Sequence, residues 1–145
     1  GNRGQTNYSM AKIGLIGFSN SLAIEGQKRN ILSNVIAPVA GTRMTATVMP
    51  ESMMELLKVE HVSPLVLYLA HETTEETGQV LEVGAGWMAK VRWQRSAGHD
   101  FDVSNGLTPE AIKAKMDVVS DFDNNPEYPE DISSSIQAAL SSKLC

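Results

Sequence analysis

Cysteine is almost absent from this chain of 145 residues, whose single thiol belongs to Cys145. One thiol cannot form an intrachain disulfide, so a disulfide-stapled scaffold is excluded and a reducing compartment is the simpler interpretation. Long apolar runs are absent too, because the longest, Pro64–Ala70, is far shorter than the roughly 18 residues of a membrane-spanning helix. No secretory signal pattern opens the sequence. We therefore expect no membrane partner.

Basic residues are scarce, since 12 Lys and Arg stand against 17 Asp and Glu and the net charge is −5. The sequence has no basic patch, which argues against nucleic acid as a principal partner. Histidines are few and scattered, at positions 61, 71 and 99. The pair His71-Glu72 lacks the second histidine that a zinc-binding helix needs. We therefore predict no metal site.

Apolar periodicity predicts the secondary structure of the first part of the chain. We expect helices at 9–26, 48–58 and 61–71 and strands at 31–36 and 79–83. The order helix, strand, helix, strand is typical of a parallel α/β sheet. The first helix is expected to end at Gly26 in the left-handed conformation. Its core-facing stripe is expected to consist of Ala11, Leu15, Phe18 and Leu22, with Ile16 and Ala23 beside them.

Two features of this part allow more than one interpretation. Met53 and Met54 in the second helix fit core filler and a flexible cover over an apolar ligand equally well. The glycine-rich stretch 84–86 follows what we expect to be the last strand and opens no helix. Because a dinucleotide fingerprint needs a strand before it and a helix after it, we do not predict a phosphate cradle there.

Beyond Trp87 the pattern changes. The stretch from Gly98 onward is rich in acidic residues, and a helix is expected to start at Thr108-Pro109-Glu110, where a hydroxyl cap precedes a proline. Another is expected from about Pro129, with its apolar stripe formed by Ile132, Ile136 and Leu140. We therefore predict two regions, 1–87 and 88–145.

The residues that carry chemistry are Tyr8 and Lys12. They stand four apart at the start of the first predicted helix, so both side chains lie on one helix face. A lysine ammonium beside a phenol favours the ionised phenol, which suits proton transfer to and from a substrate oxygen. The spacing alone is weak, because roughly one chain in four of this size contains it by chance.

The flanking residues make the pair specific. The stretches 4–18, 22–26 and 34–38, followed by 42–45 and 78–87, resemble in register the catalytic helix and following strands of the short-chain dehydrogenase/reductase family. The resemblance covers about the first 87 residues. It implies an α/β fold, namely the C-terminal half of a Rossmann-type doubly wound parallel sheet, here with a helical C-terminal extension.

The resemblance also implies residue roles. Tyr8 is expected to exchange a proton with the carbinol oxygen, and Lys12 to hold the nicotinamide ribose of NAD. Backbone amides of the loop after Pro38 are expected to meet the nicotinamide and phosphates, and these belong to Ala40, Gly41, Thr42 and Arg43. Many relatives have glycine where this chain has Val39, and their loop is longer by one residue.

The family's glycine-rich phosphate loop, its ribose-binding acid and its catalytic serine would all fall before residue 1. We therefore expect this chain to be the C-terminal part of a dehydrogenase, and to bind NAD poorly and not to turn over by itself. The alternative is a non-enzymatic dimerisation or interaction module derived from the same fold.

Within the family, residues 86–93, 107–111 and 119–122 resemble the C-terminal extension of peroxisomal (3R)-hydroxyacyl-CoA dehydrogenases. This implies oxidation of a 3-hydroxyacyl-CoA in peroxisomal fatty-acid β-oxidation, with a steroid alcohol as a second candidate substrate. It also implies a homodimer, which suits the close packing suggested by Gly14 and Gly17. The string 142–144 matches a peroxisomal address, but Cys145 follows it, so we interpret it as coincidental.

Overall fold

The computed structural model describes residues 1–43, 45–47 and 49–140, with the side chain of Thr47 excepted. The predicted features at Met44, Val48 and 142–144 lie outside these residues. The chain divides into two compact units, Gly1–Val91 and a second that begins at Arg92. The helices of the first unit are α1 (Thr6–Gly26), α2 (Glu51–Leu56) and α3 (Ser63–Ala70), and its strands are β1 (Val35–Pro38), β2 (Val80–Gly84) and β3 (Trp87–Val91).

The sheet of the first unit has the order β1-β2-β3. β1 and β2 are parallel, with Val35 opposite Val80 and Pro38 opposite Val83, and the crossover between them carries α2 and α3. This confirms the predicted succession of helices and parallel strands. Pro64 lies in the first turn of α3, where its missing N–H costs no helical hydrogen bond.

β3 corrects the prediction that β2 is the last strand. It pairs antiparallel with β2, placing Gly84 opposite Trp87. The connecting residues Ala85 and Gly86 have φ values of 49° and 80°, and two positive φ values are what a tight hairpin turn of matching twist requires. The glycine-rich stretch is therefore a hairpin turn.

β1 begins later than predicted, at Val35 instead of Ile31. The residues before it hydrogen-bond to the loop that precedes β2. Gly78 N–H donates to the carbonyl of Ser33 at 2.7 Å. The Asn34 side chain donates to the Glu76 carbonyl at 2.7 Å and accepts from Gln79 N–H at 3.1 Å. This polar clasp fixes the amino ends of both parallel strands.

The predicted end of α1 also needs correction. Gly26 stays right-handed, with φ −77°, and a short 3₁₀ turn follows before Asn30 takes the left-handed conformation at φ 53°. Gly26 is needed for another reason, because a Cβ there would lie 2.6 Å from the carbonyl oxygen of Ile31. The chain turns back so tightly that only glycine fits.

The face of α1 that packs on the sheet overlaps the predicted stripe only in part, since Ala23 is buried and Leu22 is half-buried. Its buried residues are Ser19, Ala23 and Gly26. Phe18 from the predicted stripe is 66% exposed, and Leu15 and Ala11 are exposed as well. α1 is apolar on two sides, so the sheet covers one side and leaves the other open. Ser19 joins Ser33 through their hydroxyls at 2.8 Å, which holds the second half of α1 near the amino ends of the strands.

The described part of the second unit contains three short helices, α4 (Pro109–Lys113), α5 (Met116–Val119) and α6 (Ile132–Leu140). Thr108 accepts a hydrogen bond from Ala111 N–H at 3.2 Å, which is the predicted hydroxyl cap of α4. Backbone hydrogen bonds of 2.8 Å in both directions and an ion pair join Arg95 to Glu127. No helix in the described part of the chain is long and apolar enough to span a membrane.

Candidate active site

Tyr8 and Lys12 lie on the first turns of α1. α1 contacts β1, and the C-terminal end of α1 lies near the amino ends of the strands. The first turns of α1 therefore lie toward the carboxyl edge of the sheet. Ligands bind at that edge in open α/β sheets. The N-cap residue of α1, Gln5, makes no capping hydrogen bond through its side chain. The Asn7 side chain accepts a hydrogen bond from Tyr8 N–H at 2.9 Å.

The two side chains meet as their spacing requires. The Lys12 ammonium nitrogen lies 5.4 Å from the centre of the Tyr8 ring, within the range of a cation–π contact. Tyr8 is 52% exposed, so its hydroxyl is open to a substrate. The arrangement presents a phenol and a cation together on an accessible surface, which allows proton exchange beside a positive charge.

The loop after β1 leaves the same edge of the sheet. Val39 N–H donates to the carbonyl of Val83 at 2.8 Å, which continues the ladder by one residue. Gly84 makes room for this path, because a Cβ at Gly84 would meet the Val39 carbonyl oxygen and lie 3.0 Å from the Val39 Cβ. Sequence reasoning missed this role of Gly84. The sequence signal for this close approach was a glycine at the end of β2, which lies beside the end of β1.

Two of the four loop amides predicted to bind cofactor already have acceptors within the chain. Gly41 N–H donates to the carbonyl of Leu57 at 2.6 Å. Thr42 N–H donates to the Thr45 hydroxyl at 2.7 Å. The structure therefore brings the loop together with the end of α2, a contact that the sequence did not indicate.

Metal-ligating residues do not gather at this edge. Within residues 1–43, 45–47 and 49–140, no three His, Cys, Asp or Glu side chains lie close enough together to hold a metal ion. An open apolar groove of about 540 Å³ lies beside the loop, between Pro38 and Ala40 on one side and α3 on the other. Its other lining residues are Val59, Val62, Ser63, Val66, Leu67 and Ala70.

A comparison with protein-family models gave no match. The mouse peroxisomal multifunctional enzyme type 2 is 54% identical to this chain over 125 residues, which are 86% of the chain and 17% of the mouse protein. Peroxisomal multifunctional enzyme A of Dictyostelium discoideum is 50% identical over 140 residues, which are 97% of the chain and 31% of that protein. The chain thus spans less than a third of the length of either relative.

Solved structures agree with these relatives. The full-length peroxisomal multifunctional enzyme type 2 from Drosophila melanogaster matches with a TM-score of 0.85 at 34% identity, over 98% of this chain and 26% of that one. A short chain dehydrogenase from Mycobacterium avium matches with a TM-score of 0.63 at 33% identity, over 80% of this chain and 39% of that one.

The sheet, whose strands β1 and β2 are parallel, and the helices connected to it match the fold of a solved short chain dehydrogenase. The chain belongs to the short-chain dehydrogenase/reductase family. It is similar to peroxisomal multifunctional enzymes and to the peroxisomal hydratase-dehydrogenase-epimerase of Neurospora crassa.

Proposed function

We propose that this chain supplies the proton-transfer helix and the cofactor loop of an NAD-dependent (3R)-hydroxyacyl-CoA dehydrogenase of peroxisomal fatty-acid β-oxidation. The observation that carries the proposal is the contact between the Lys12 ammonium and the Tyr8 ring on an exposed helix face. The substrate class and the peroxisomal location rest on the similarity to peroxisomal multifunctional enzymes. A steroid alcohol is a second candidate substrate.

The residues of this chain fit the nicotinamide end of the cofactor. Lys12 is exposed and offers its ammonium for the ribose hydroxyls. Among the described residues, the amides of Gly41 and Thr42 have acceptors within the chain, and the loop also presents the backbone amides of Ala40 and Arg43. Bound NAD supplies a carbon that accepts the hydride from the substrate carbinol carbon. Tyr8, as phenolate, takes the carbinol proton, so the C–OH group becomes a ketone. The Lys12 ammonium, 5.4 Å from the centre of the Tyr8 ring, places a positive charge beside the group that takes this proton.

For the 145 residues by themselves we propose that NAD binding is weak and turnover absent. The sequence contains no glycine-rich strand–turn–helix to hold the pyrophosphate at a helix N-terminus. The open apolar groove beside Pro38 and Ala40 is a surface that a dinucleotide-binding half can cover. Catalysis then belongs to the assembly of the two halves.

Titrating NADH fluorescence against the folded 145-residue chain tests this part of the proposal. We expect no saturable binding at NADH concentrations of up to about 1 mM, because the chain lacks the pyrophosphate site that supplies much of the affinity. Circular dichroism and sedimentation show that the chain is folded in the same sample. Micromolar binding together with turnover of a 3-hydroxyacyl-CoA contradicts the proposal.

We also propose that the chain forms a homodimer through the open face of α1. Apart from the adjoining residues and backbone of α1 itself, no atom of the described residues lies within 4 Å of where a Cβ of Gly14 or Gly17 would stand. Phe18 and Met10 expose large apolar surfaces beside them. A row of glycines flanked by exposed apolar side chains permits the close approach of a second helix backbone.

Gly14→Ala tests the dimer because it is expected to stabilise the folded monomer and to weaken dimerisation. The added methyl group meets nothing in the described monomer, so we expect the helix to gain about 0.5–1 kcal/mol. At a close helix–helix contact the same methyl group separates the backbones, and we expect the dimer dissociation constant to rise at least about tenfold. Sedimentation velocity at several concentrations measures it, with Asn105→Ala in an exposed loop as the control. A stabilised chain with unchanged dimerisation contradicts the proposed interface.

A non-enzymatic dimerisation or interaction module is the alternative. The exposed apolar face of α1 favours it, since such a face serves association whether or not catalysis occurs. A tight dimer that stays inactive when a dinucleotide-binding half is supplied in trans supports this alternative.

A further inference from the structure

Asn105 and Gly106 lie in an exposed turn of the second unit. Residues 102–110 are all exposed, and the Gly106 N–H donates to the carbonyl of Val103 at 3.1 Å. Gly106 has φ 85°, a conformation that suits glycine. The Asn105 side-chain nitrogen lies 3.5 Å from the Ser104 hydroxyl, which makes a weak hydrogen bond. Because these bonds lie at the surface, the turn opens locally at a small cost in free energy.

The order asparagine then glycine places a nucleophile beside an electrophile. The backbone nitrogen of Gly106 follows Asn105 directly, so its attack on the side-chain carbonyl carbon of Asn105 closes a succinimide ring. Glycine has no Cβ to crowd this approach, and its backbone turns freely into the geometry that the ring needs. Of the asparagines in the sequence, Asn105 alone precedes a glycine.

Other asparagines are protected by the structure around them. Asn20 lies within α1, where the N–H that follows it donates along the helix. The Asn34 side chain both donates and accepts hydrogen bonds in the polar clasp at the amino ends of the strands. Asn125 precedes Pro126, whose nitrogen carries no proton to lose. The exposed turn at Asn105 therefore combines the reactive sequence with weak restraint.

We propose that Asn105 is a site of spontaneous deamidation, which converts it to aspartate and isoaspartate without a second protein. A base in solution removes the proton of the Gly106 amide, and the nitrogen bonds to the side-chain carbonyl carbon of Asn105. The bond from that carbon to the side-chain nitrogen breaks, and ammonia leaves. Water then opens the imide at either of its two carbonyls. The sum of these steps consumes one water, releases one ammonia and involves no oxidation or reduction.

The two products change the turn in different ways. Opening at one carbonyl gives aspartate, which adds a negative charge to a region already rich in acidic residues. Opening at the other gives isoaspartate, in which the backbone runs through the former side chain and is longer by one methylene. The hydrogen bond from Gly106 N–H to Val103 is not expected to re-form around this longer backbone. The site thus marks the age of the molecule in both its charge and its chain path.

Peptide mapping by mass spectrometry, after incubation of the 145-residue chain at mildly alkaline pH, tests the proposal and needs no enzymatic activity. We expect residue 105 to change from an amide to an acid at least about tenfold faster than any other asparagine, because only there is the attacking nitrogen uncrowded by a Cβ. Electron-transfer fragmentation is expected to show isoaspartate as well as aspartate. The rate is expected to rise with pH, since the attacking amide must first lose its proton.

Gly106→Ala keeps Asn105 and adds the crowding Cβ, so we expect it to slow the reaction at least about tenfold. Gly98→Ala is the matched control, because Gly98 also has a positive φ, 75°, and follows an alanine. Apart from the adjoining residues, neither methyl group meets an atom of the described chain. Gly98→Ala is expected to leave the rate at Asn105 within about twofold, which separates backbone strain from crowding of the nitrogen. An Asn105 that reacts no faster than the other asparagines, or a Gly106→Ala chain that reacts at the unsubstituted rate, overturns the proposal.

Discussion

Tyr8→Phe is expected to lower kcat for oxidation of a 3-hydroxyacyl-CoA about a thousandfold. The protein tested is the Dictyostelium chimaera, in which this chain replaces the aligned region of Dictyostelium peroxisomal multifunctional enzyme A. The substitution removes one oxygen, which is the group that we propose takes the carbinol proton, and positioned acid–base groups contribute about 10²–10⁴-fold. The ring and its contact with the Lys12 ammonium remain. Because Tyr8 is 52% exposed, stability is expected to change by less than about 0.5 kcal/mol. Steady-state NADH formation measures the effect.

Tyr68→Phe is the matched control for that experiment. Tyr68 is 54% exposed and lies on α3, away from the first turns of α1. Its loss of the same oxygen is expected to leave kcat within about twofold, since no reacting group depends on it. A Tyr8→Phe chimaera that keeps more than a tenth of its turnover shows that Tyr8 is not the proton acceptor.

Gly84→Ala is expected to destabilise the first unit by about 2–3 kcal/mol, because the methyl group has no free space and the neighbouring atoms include backbone. For a unit of this size that loss corresponds to a melting temperature lower by roughly 10–20 °C. Thermal unfolding followed by circular dichroism measures it.

A second substitution, at Val39, checks whether the contact between Gly84 and Val39 causes this loss of stability. Adding Val39→Gly removes the Val39 Cβ, 3.0 Å from the new methyl group, and frees the backbone there. It is expected to restore part of the stability lost by Gly84→Ala, whereas Val39→Gly alone is expected to destabilise modestly. If Gly84→Ala unfolds within 2 °C of the unsubstituted chain, the close approach of the loop to β2 is not as described.

Local patterns predicted the elements whose causes are local. α1 follows from apolar residues at helical spacing, and the pairing of Tyr8 with Lys12 follows from four-residue spacing on one face. What the periodicity could not decide was which side of α1 packs on the sheet, since both sides are apolar. Phe18 is exposed and Ser19 is buried because Ser33, far along the chain, supplies a hydroxyl partner.

The errors have a common origin in backbone contacts that apolar periodicity does not report. β3 was missed because a glycine-rich stretch looked like a loop, although Ala85 and Gly86 form a hairpin turn once the next strand pairs. Gly26 was expected to be left-handed, but a glycine is needed there because the backbone of Ile31 lies too close for a Cβ. The acceptor at Gly41 could not be foreseen either, because Leu57 reaches it only through the fold of α2.

The central claim is that this chain carries the proton-transfer half of a hydroxyacyl-CoA dehydrogenase. The measurement that tests it most directly is NADH formation by the Dictyostelium chimaera with (3R)-hydroxyacyl-CoA and NAD, with the parent enzyme as the positive control. We predict turnover within about tenfold of the parent, specific for the 3R isomer and absent from the 145-residue chain alone. A folded chimaera that forms no NADH, or an isolated chain that forms NADH as readily as the chimaera, contradicts the account.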